Sequence, residues 1–154
     1  MSEEPFSEEE WHRKTAVNCF NKVWDLLEKK SRIQKEEDTM IHAAHASRFH
    51  WGEIGTPLEY ERGEWQISRV YAVLDRAEPA MYHAKRCLEI CTENNIGDFD
   101  LAFAYEAMAR AHGVAGETTE VRKFVDLAKK AGEHIEKEDD KTYFFDELNT
   151  INNI

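Results

Sequence analysis

The residues Trp65-Gln66-Ile67-Ser68-Arg69-Val70-Tyr71 and, shortly after them, Ala80-Met81-Tyr82-His83-Ala84-Lys85-Arg86-Cys87-Leu88 decide the fold class. Ile67, Val70, Tyr71 and Leu74 recur at intervals of three and four, the period at which side chains share one face of an α-helix. Ala80, Ala84 and Cys87 keep that period but are all small. A small-residue face lets a helix carrying larger side chains approach closely, so the two segments read as packed partners.

A step of 41 residues repeats the pattern on both sides of this stretch. It takes Leu26 to Ile67 to Met108, each an apolar residue of a first helix. It also takes Thr39 to Ala80 to Val121, Ala43 to Ala84 to Val125, and Ala46 to Cys87 to Ala128, the small or β-branched residues of the second helices. Start signals recur too, since Thr56, Asp98 and Asp140 lie 42 apart. One pair of helices cannot bury its apolar face alone, so repeats of this length must stack, with an atypical unit closing the array.

The remaining segments follow from caps and breakers. Ser7 and Glu10 form a capping box with Phe6 just outside, opening a helix with Trp11, Val17, Phe20, Trp24 and Leu27 on its stripe. The polar run Lys29–Asp38 breaks the apolar pattern, and a second helix is expected from Thr39 to Glu53, stopped by Gly52 and Gly55. Thr56-Pro57-Leu58-Glu59 is the clearest start, with an N-cap Thr, Pro at the first helical position and Glu three after the cap. A fourth helix should run from about Pro79 to Glu93, ended by Asn94-Asn95-Ile96-Gly97. Asp98 is expected to cap a fifth, ending before Gly116, Thr119 a sixth through His134, and Asp140 a last one holding Tyr143, Phe144, Leu148 and Ile151. The expectation is one all-α domain over 1–154, made of antiparallel helix hairpins at about 7–54, 56–95 and 98–135 with a capping helix at about 140–151.

Trp65, Ile67-Ser68, Tyr71, Ala80, Ala84 and Cys87, followed by Tyr105, Met108-Ala109, His112, Gly116, Val121, Val125 and Ala128, resemble successive copies of the tetratricopeptide repeat (TPR). The likeness covers roughly residues 17–150. The family's common period is about 34 residues, so a period of 41–42 resembles its longer-helix variants. Lys30 stands where the first copy would carry an aromatic, and the closing proline is missing from all three copies. The resemblance implies a TPR-like superhelix whose concave face, lined by the first helix of each pair, binds a protein or peptide. On that face it places Arg62, Trp65, Gln66, Arg69, Glu106 and Arg110.

Composition narrows the function further. Twenty Lys and Arg against 31 Asp and Glu give a net charge of −11, which repels phosphate backbones and anionic lipid, so neither nucleic acid nor membrane is an expected partner. Seven Gly and three Pro are too few for the turns of an all-β sandwich. The acidic start Met1-Ser2-Glu3-Glu4-Pro5 lacks signal-peptide features, and no apolar run approaches the ~18–20 residues of a membrane span, so a cytoplasmic protein is expected. Three cysteines do not make a secreted disulfide framework, and Cys87 reads as a small core residue rather than a metal ligand. There is no glycine-rich phosphate loop, nucleophile elbow or His-Glu-x-x-His motif.

These readings point to a binding module without catalytic activity of its own and without a cofactor. Arg62, Arg69 and Arg110 form a basic stripe suited to an acidic peptide, because guanidinium forks grip carboxylates and Trp65 offers a flat anchor. Each Arg could instead pair with a neighbouring acid, such as Glu106 with Arg110 at i,i+4. The four Trp and other large aromatics leave a homodimer open. An alternative is a metal-binding protein or metal-dependent enzyme using Asp38, His42, His45 and His83. His42 and His83 are repeat-equivalent, however, and so lie on successive helices at a spacing long for sharing one ion; packing histidines are the simpler reading.

Overall fold

A computed structural model describes residues 5–151; Met1–Glu4, part of the acidic start, lie outside it. Among the described residues there are seven α-helices and no strand. They are α1 (Glu8–Leu27), α2 (Gln34–Ile54), α3 (Pro57–Val73), α4 (Ala77–Glu93), α5 (Asp98–Val114), α6 (Thr118–Glu133) and α7 (Glu138–Leu148). No helix is long and apolar enough to cross a membrane.

Local chemistry sets the ends of these helices. Ser7 Oγ accepts the Glu10 N–H at 3.1 Å, the expected opening of α1. Glu59 Oε1 accepts both the backbone N–H (2.8 Å) and the hydroxyl (2.9 Å) of Thr56, so α3 starts where its cap and proline place it. Three helices close in the same way. After α3, α4 and α5 the chain turns through a left-handed residue, Asp75 (φ 61°), Asn95 (φ 54°) and Gly116 (φ 77°). The next N–H then reaches back to the helix: Arg76 to Tyr71 O (2.8 Å), Ile96 to Cys91 O (2.9 Å) and Glu117 to His112 O (3.0 Å). The α3 and α5 closures lie 41 residues apart, and the α4 closure lies between them.

Several boundaries differ from expectation. α2 begins at Gln34, not Thr39, because Glu36 Oε1 accepts the Ile33 N–H (3.0 Å) and the polar run forms a solvated first turn. Arg32 Nη1 donates to the carbonyls of Leu26 (3.1 Å) and Lys29 (2.8 Å), closing α1. α4 starts two residues before Pro79, α6 one before Thr119, and α7 at Glu138, ahead of Asp140 and ending before Ile151. Asp98 is the first residue of α5, in the left-handed region at φ 52°. Its carboxylate accepts from Phe99 N (2.6 Å) and from Glu136 N (3.3 Å), so it ties the α6–α7 connection to α5.

Each of α1, α3 and α5 packs most extensively on the helix that follows it, and α1, α3, α5 and α7 also touch in sequence. The core lies where these contacts meet. Leu26, Ile67 and Met108 are buried, as are Ala80, Ala84 and Cys87 of α4 and Val121 and Ala128 of α6. In α2 the buried stripe is Met40, Ala44 and Ser47, one residue beyond Thr39, Ala43 and Ala46, which are half-buried. The connection before α2, residues 28–33, is longer than the one before α4, residues 74–76, and shifts the helix's phase. Small polar residues allow close approach by bonding to the facing backbone: Ser47 Oγ donates to Ala16 O and Ser68 Oγ to Ala80 O, both at 2.8 Å.

Candidate functional site

The first helix of each pair and α7 together enclose a cleft of about 250 Å³. Phe20 and Trp24 come from α1, Glu61, Arg62 and Trp65 from α3, Phe99, Asp100 and Phe103 from α5, and Tyr143 from α7. Its wall is a continuous run of aromatic contacts. Trp24 stacks on Trp65 (centroids 5.8 Å, 28° between planes), and Trp65 meets Phe103 edge-on (5.6 Å, 84°). Phe103 in turn touches Phe99 (4.7 Å) and Tyr143 (5.8 Å). Such offset and edge-on pairs hold ring walls in place. The buried Trp65 indole nitrogen has no hydrogen-bond partner among the described residues.

Three ionisable side chains sit at the cleft. Arg62 holds Asp100 through two parallel hydrogen bonds, Nε to Oδ1 (2.8 Å) and Nη2 to Oδ2 (3.0 Å). Burial works against an ionised Asp100, but the bonds from Arg62 and Glu61 outweigh it and hold this carboxyl below its ordinary range. Glu61 is the opposite case. Burial, and then its contact with Asp100, push its carboxyl up to about 10, so it is a neutral acid at pH 7. Its Oε1 accepts from Cys87 Sγ (3.5 Å), and its buried Oε2 has no donor. The cleft therefore combines an apolar wall, an internally neutralised ion pair and an uncharged acid. It suits a flat or apolar group; Arg62, half of whose side chain is exposed, keeps further N–H donors for a carboxylate at the mouth.

The structure separates the residues that the repeat resemblance grouped together. Arg62 and Trp65 line the cleft. Gln66 is fully buried, its Nε2 donating to Phe20 O at 3.0 Å, so it joins α3 to α1 rather than facing a ligand. Glu106 is also fully buried, and Arg69 Nη2 (2.9 Å) and Arg110 Nη2 (2.6 Å) both bond its Oε2. Arg69 continues to Glu147 (3.0 Å), and Arg110 to Thr150 Oγ1 (2.8 Å) and Glu147 O (3.1 Å), so this network anchors the last helix. Two arginines of the stripe thus converge on Glu106 and the third on Asp100; none is a free cation.

The histidine set is likewise only partly assembled. His45 and His83 meet, with ring centroids 5.4 Å apart. His45 Nε2 bonds the Tyr71 hydroxyl (2.8 Å), and His83 Nδ1 bonds Glu64 Oε1 (2.7 Å), whose other oxygen accepts from Arg48 Nε (2.8 Å). Asp38 accepts instead from Gln34 (2.9 Å) on its own helix, and His42 is exposed. No three of Asp38, His42, His45 and His83 bring ligand atoms within 4.8 Å of one another; among the described residues Glu61, Cys87 and Cys91 do. Of the four Trp, Trp24 and Trp65 belong to the cleft, Trp51 is half-buried beside Arg13, and Trp11 is half exposed.

Sequence reasoning missed Glu61, Phe99 and Asp100. Glu61 stands among exposed acids in the sequence, and Asp100 two places after a presumed cap. The repeat carried one signal, since 41 residues before Glu61 stands Phe20 and 41 after it Ala102, both apolar. Comparison with known proteins gives no match: no family model fits the chain, and no curated protein or solved structure is similar to it.

Proposed function

We propose that this chain is a protein- or peptide-binding module of TPR-like type, without catalytic chemistry of its own, and that its aromatic cleft is the contact site. The packing of α1 on α2, α3 on α4 and α5 on α6, with first helices touching in sequence, supports three stacked hairpins and a closing helix. The cleft between those first helices is the observation that carries the reading. Six aromatic side chains from four helices wall a space large enough for one projecting side chain, and rigid rings lose little entropy when a ligand binds. The occupant is a partner segment offering one aromatic or long apolar anchor, with a nearby carboxylate to engage the exposed part of Arg62. The segment's acidity now rests on Arg62 alone, because Arg69 and Arg110 are committed to Glu106.

A displayed random-peptide library selected on the purified full chain tests this. Selected sequences should share an aromatic or long apolar residue beside an acid, and should bind Trp24→Ala and Tyr143→Ala at least tenfold more weakly than the parent. Tyr82→Ala, an exposed aromatic of α4 remote from the cleft, should bind as the parent does. A selection yielding no enriched motif, or peptides indifferent to both cleft variants, would remove the proposal.

A further inference from the structure

We propose that Glu61, Cys87 and Cys91 form a binding site for one divalent transition-metal ion of the zinc class, at the base of the cleft. Cys87 and Cys91 are one turn apart on α4 and present their sulfurs to the same side; Glu61 reaches them from α3. The three ligand atoms lie within 4.8 Å of one another, and all three residues are buried. Tetrahedral zinc with Zn–S bonds of ≈ 2.3 Å needs sulfurs about 3.8 Å apart, so small side-chain rotations close the set.

The repeat supplies an internal comparison. Moving 41 residues takes Glu61 to Ala102, Cys87 to Ala128 and Cys91 to Gly132, and all three of those residues are buried. The next unit thus packs with small apolar side chains at these places, the preceding unit has Phe20, Ala46 and His50 there, and the middle unit alone carries a carboxyl and two thiols. An independent observation is Glu61 Oε2, which is buried with no donor. Burying a carboxyl oxygen that receives no hydrogen bond, beside a second carboxyl at Asp100, costs stability, whereas a cation bound by the same group would offset that cost. Two thiolates with one carboxylate favour zinc-like ions over calcium or magnesium, which take all-oxygen sets. Because Glu61 lines the cleft, the fourth position opens there, to water or to a group brought by a ligand. This site stands apart from the peptide-binding proposal and does not depend on it.

Cobalt titration of the reduced, chelator-treated full chain provides the test. Binding should give a sulfur-to-cobalt charge-transfer band and tetrahedral d–d bands that saturate at one ion per chain, and one equivalent of zinc should bleach them. Zinc should also raise the melting temperature of the parent chain. Cys87→Ala and Cys91→Ala install residues like those of the next unit, so both variants should fold, confirmed by circular dichroism, while losing the charge-transfer band and the zinc-dependent melting shift. Glu61→Gln should weaken cobalt binding at least tenfold. Absence of the band in the parent chain, saturation away from one ion, or a band retained in both cysteine variants would overturn the site. A Cys87–Cys91 disulfide found by mass spectrometry in the freshly purified protein would overturn it as well.

Discussion

Arg69 of α3 and Glu106 of α5 join the two helices, Nη2 to Oε2 at 2.9 Å, and Glu106 has no solvent exposure. Arg69 and Arg110 are themselves largely buried, 11% and 18% exposed, so removing Glu106 would deprive two guanidiniums at once of their shared carboxylate. Arg110 shares the same oxygen, and both arginines continue to Glu147.

Glu106→Ala is therefore predicted to cost about 3–5 kcal/mol, the range for breaking a buried ion pair. Arg110→Ala should cost clearly less, because Arg69 still neutralises Glu106. Urea unfolding of the three proteins measures both. Equal losses would mean that Glu106 is not the centre of the network.

The cleft's ion pair has an opposite asymmetry. The Asp100 side chain is 13% exposed and that of Arg62 52%. Removing Asp100 leaves a guanidinium that water can solvate. Removing Arg62 leaves a largely buried carboxylate beside Glu61. Arg62→Ala should destabilise by about 1–3 kcal/mol and Asp100→Asn by less. A larger loss in Asp100→Asn would reverse this ordering and with it the assignment of which partner is stranded.

These two pairs show where sequence reading ends. The starts at Ser7 and Thr56, the Gly116 turn and the buried positions Ile67, Ala80, Ala84, Met108, Val121 and Ala128 were legible because each depends on residues within a turn or two, whereas Gln66 and Glu106, expected on a ligand face, are buried. Arg62–Asp100 and Arg69–Glu106 join residues 38 and 37 apart, beyond any i,i+4 rule. Only the alignment of neighbouring helices decides which acid an arginine meets. The same holds for Glu61, whose neighbours in sequence suggest a solvated acid although its helix turns it inward.

Stability should fall with acidity through the His45 cluster. Partial desolvation of the otherwise exposed His45 first, then the approach of His83, lowers its pKa from 6.5; Glu64 acts in the opposite sense, and His42 adds a smaller lowering. Glu64 is held below 4.5, because His83 and Arg48 outweigh its burial. Signs agree for the two groups. Below pH 6.5 the unfolded chain takes a proton on His45 that the native state refuses, and near pH 4.5 and below the same is true of Glu64. The contribution of these two groups is thus fully present above pH 6.5 and declines as pH drops, first through His45 and then through Glu64. Glu61, with its carboxyl raised to about 10, acts in the opposite sense and gains stability as pH falls from 10 towards 4.5. His45→Gln should lack the His45 part of the step between pH 7.5 and 6, so the parent should lose more urea midpoint across it than the variant does. An unchanged step in that variant would exclude His45 as its source.

The last helix docks through a glycine. A Cβ added at Gly132 of α6 would stand 2.6 Å from Phe144 Cε2 and 2.9 Å from Phe145 Cζ, both ring atoms of α7. Phe144 is fully buried and cannot rotate away without opening the core. Gly132→Ala should therefore cost about 1–3 kcal/mol, the usual range for overpacking, despite the better helix propensity of alanine. Gly63 provides a contrast, because an added Cβ there meets chiefly Arg48 Cδ at 2.8 Å, part of a flexible side chain. Gly63→Ala should cost less. Hydrogen exchange adds a local signature: in Gly132→Ala, amides 138–148 should lose protection ahead of α3 and α4, whereas in Gly63→Ala they should not. Native-like protection of α7 in Gly132→Ala would mean that the helix can dock without this close contact.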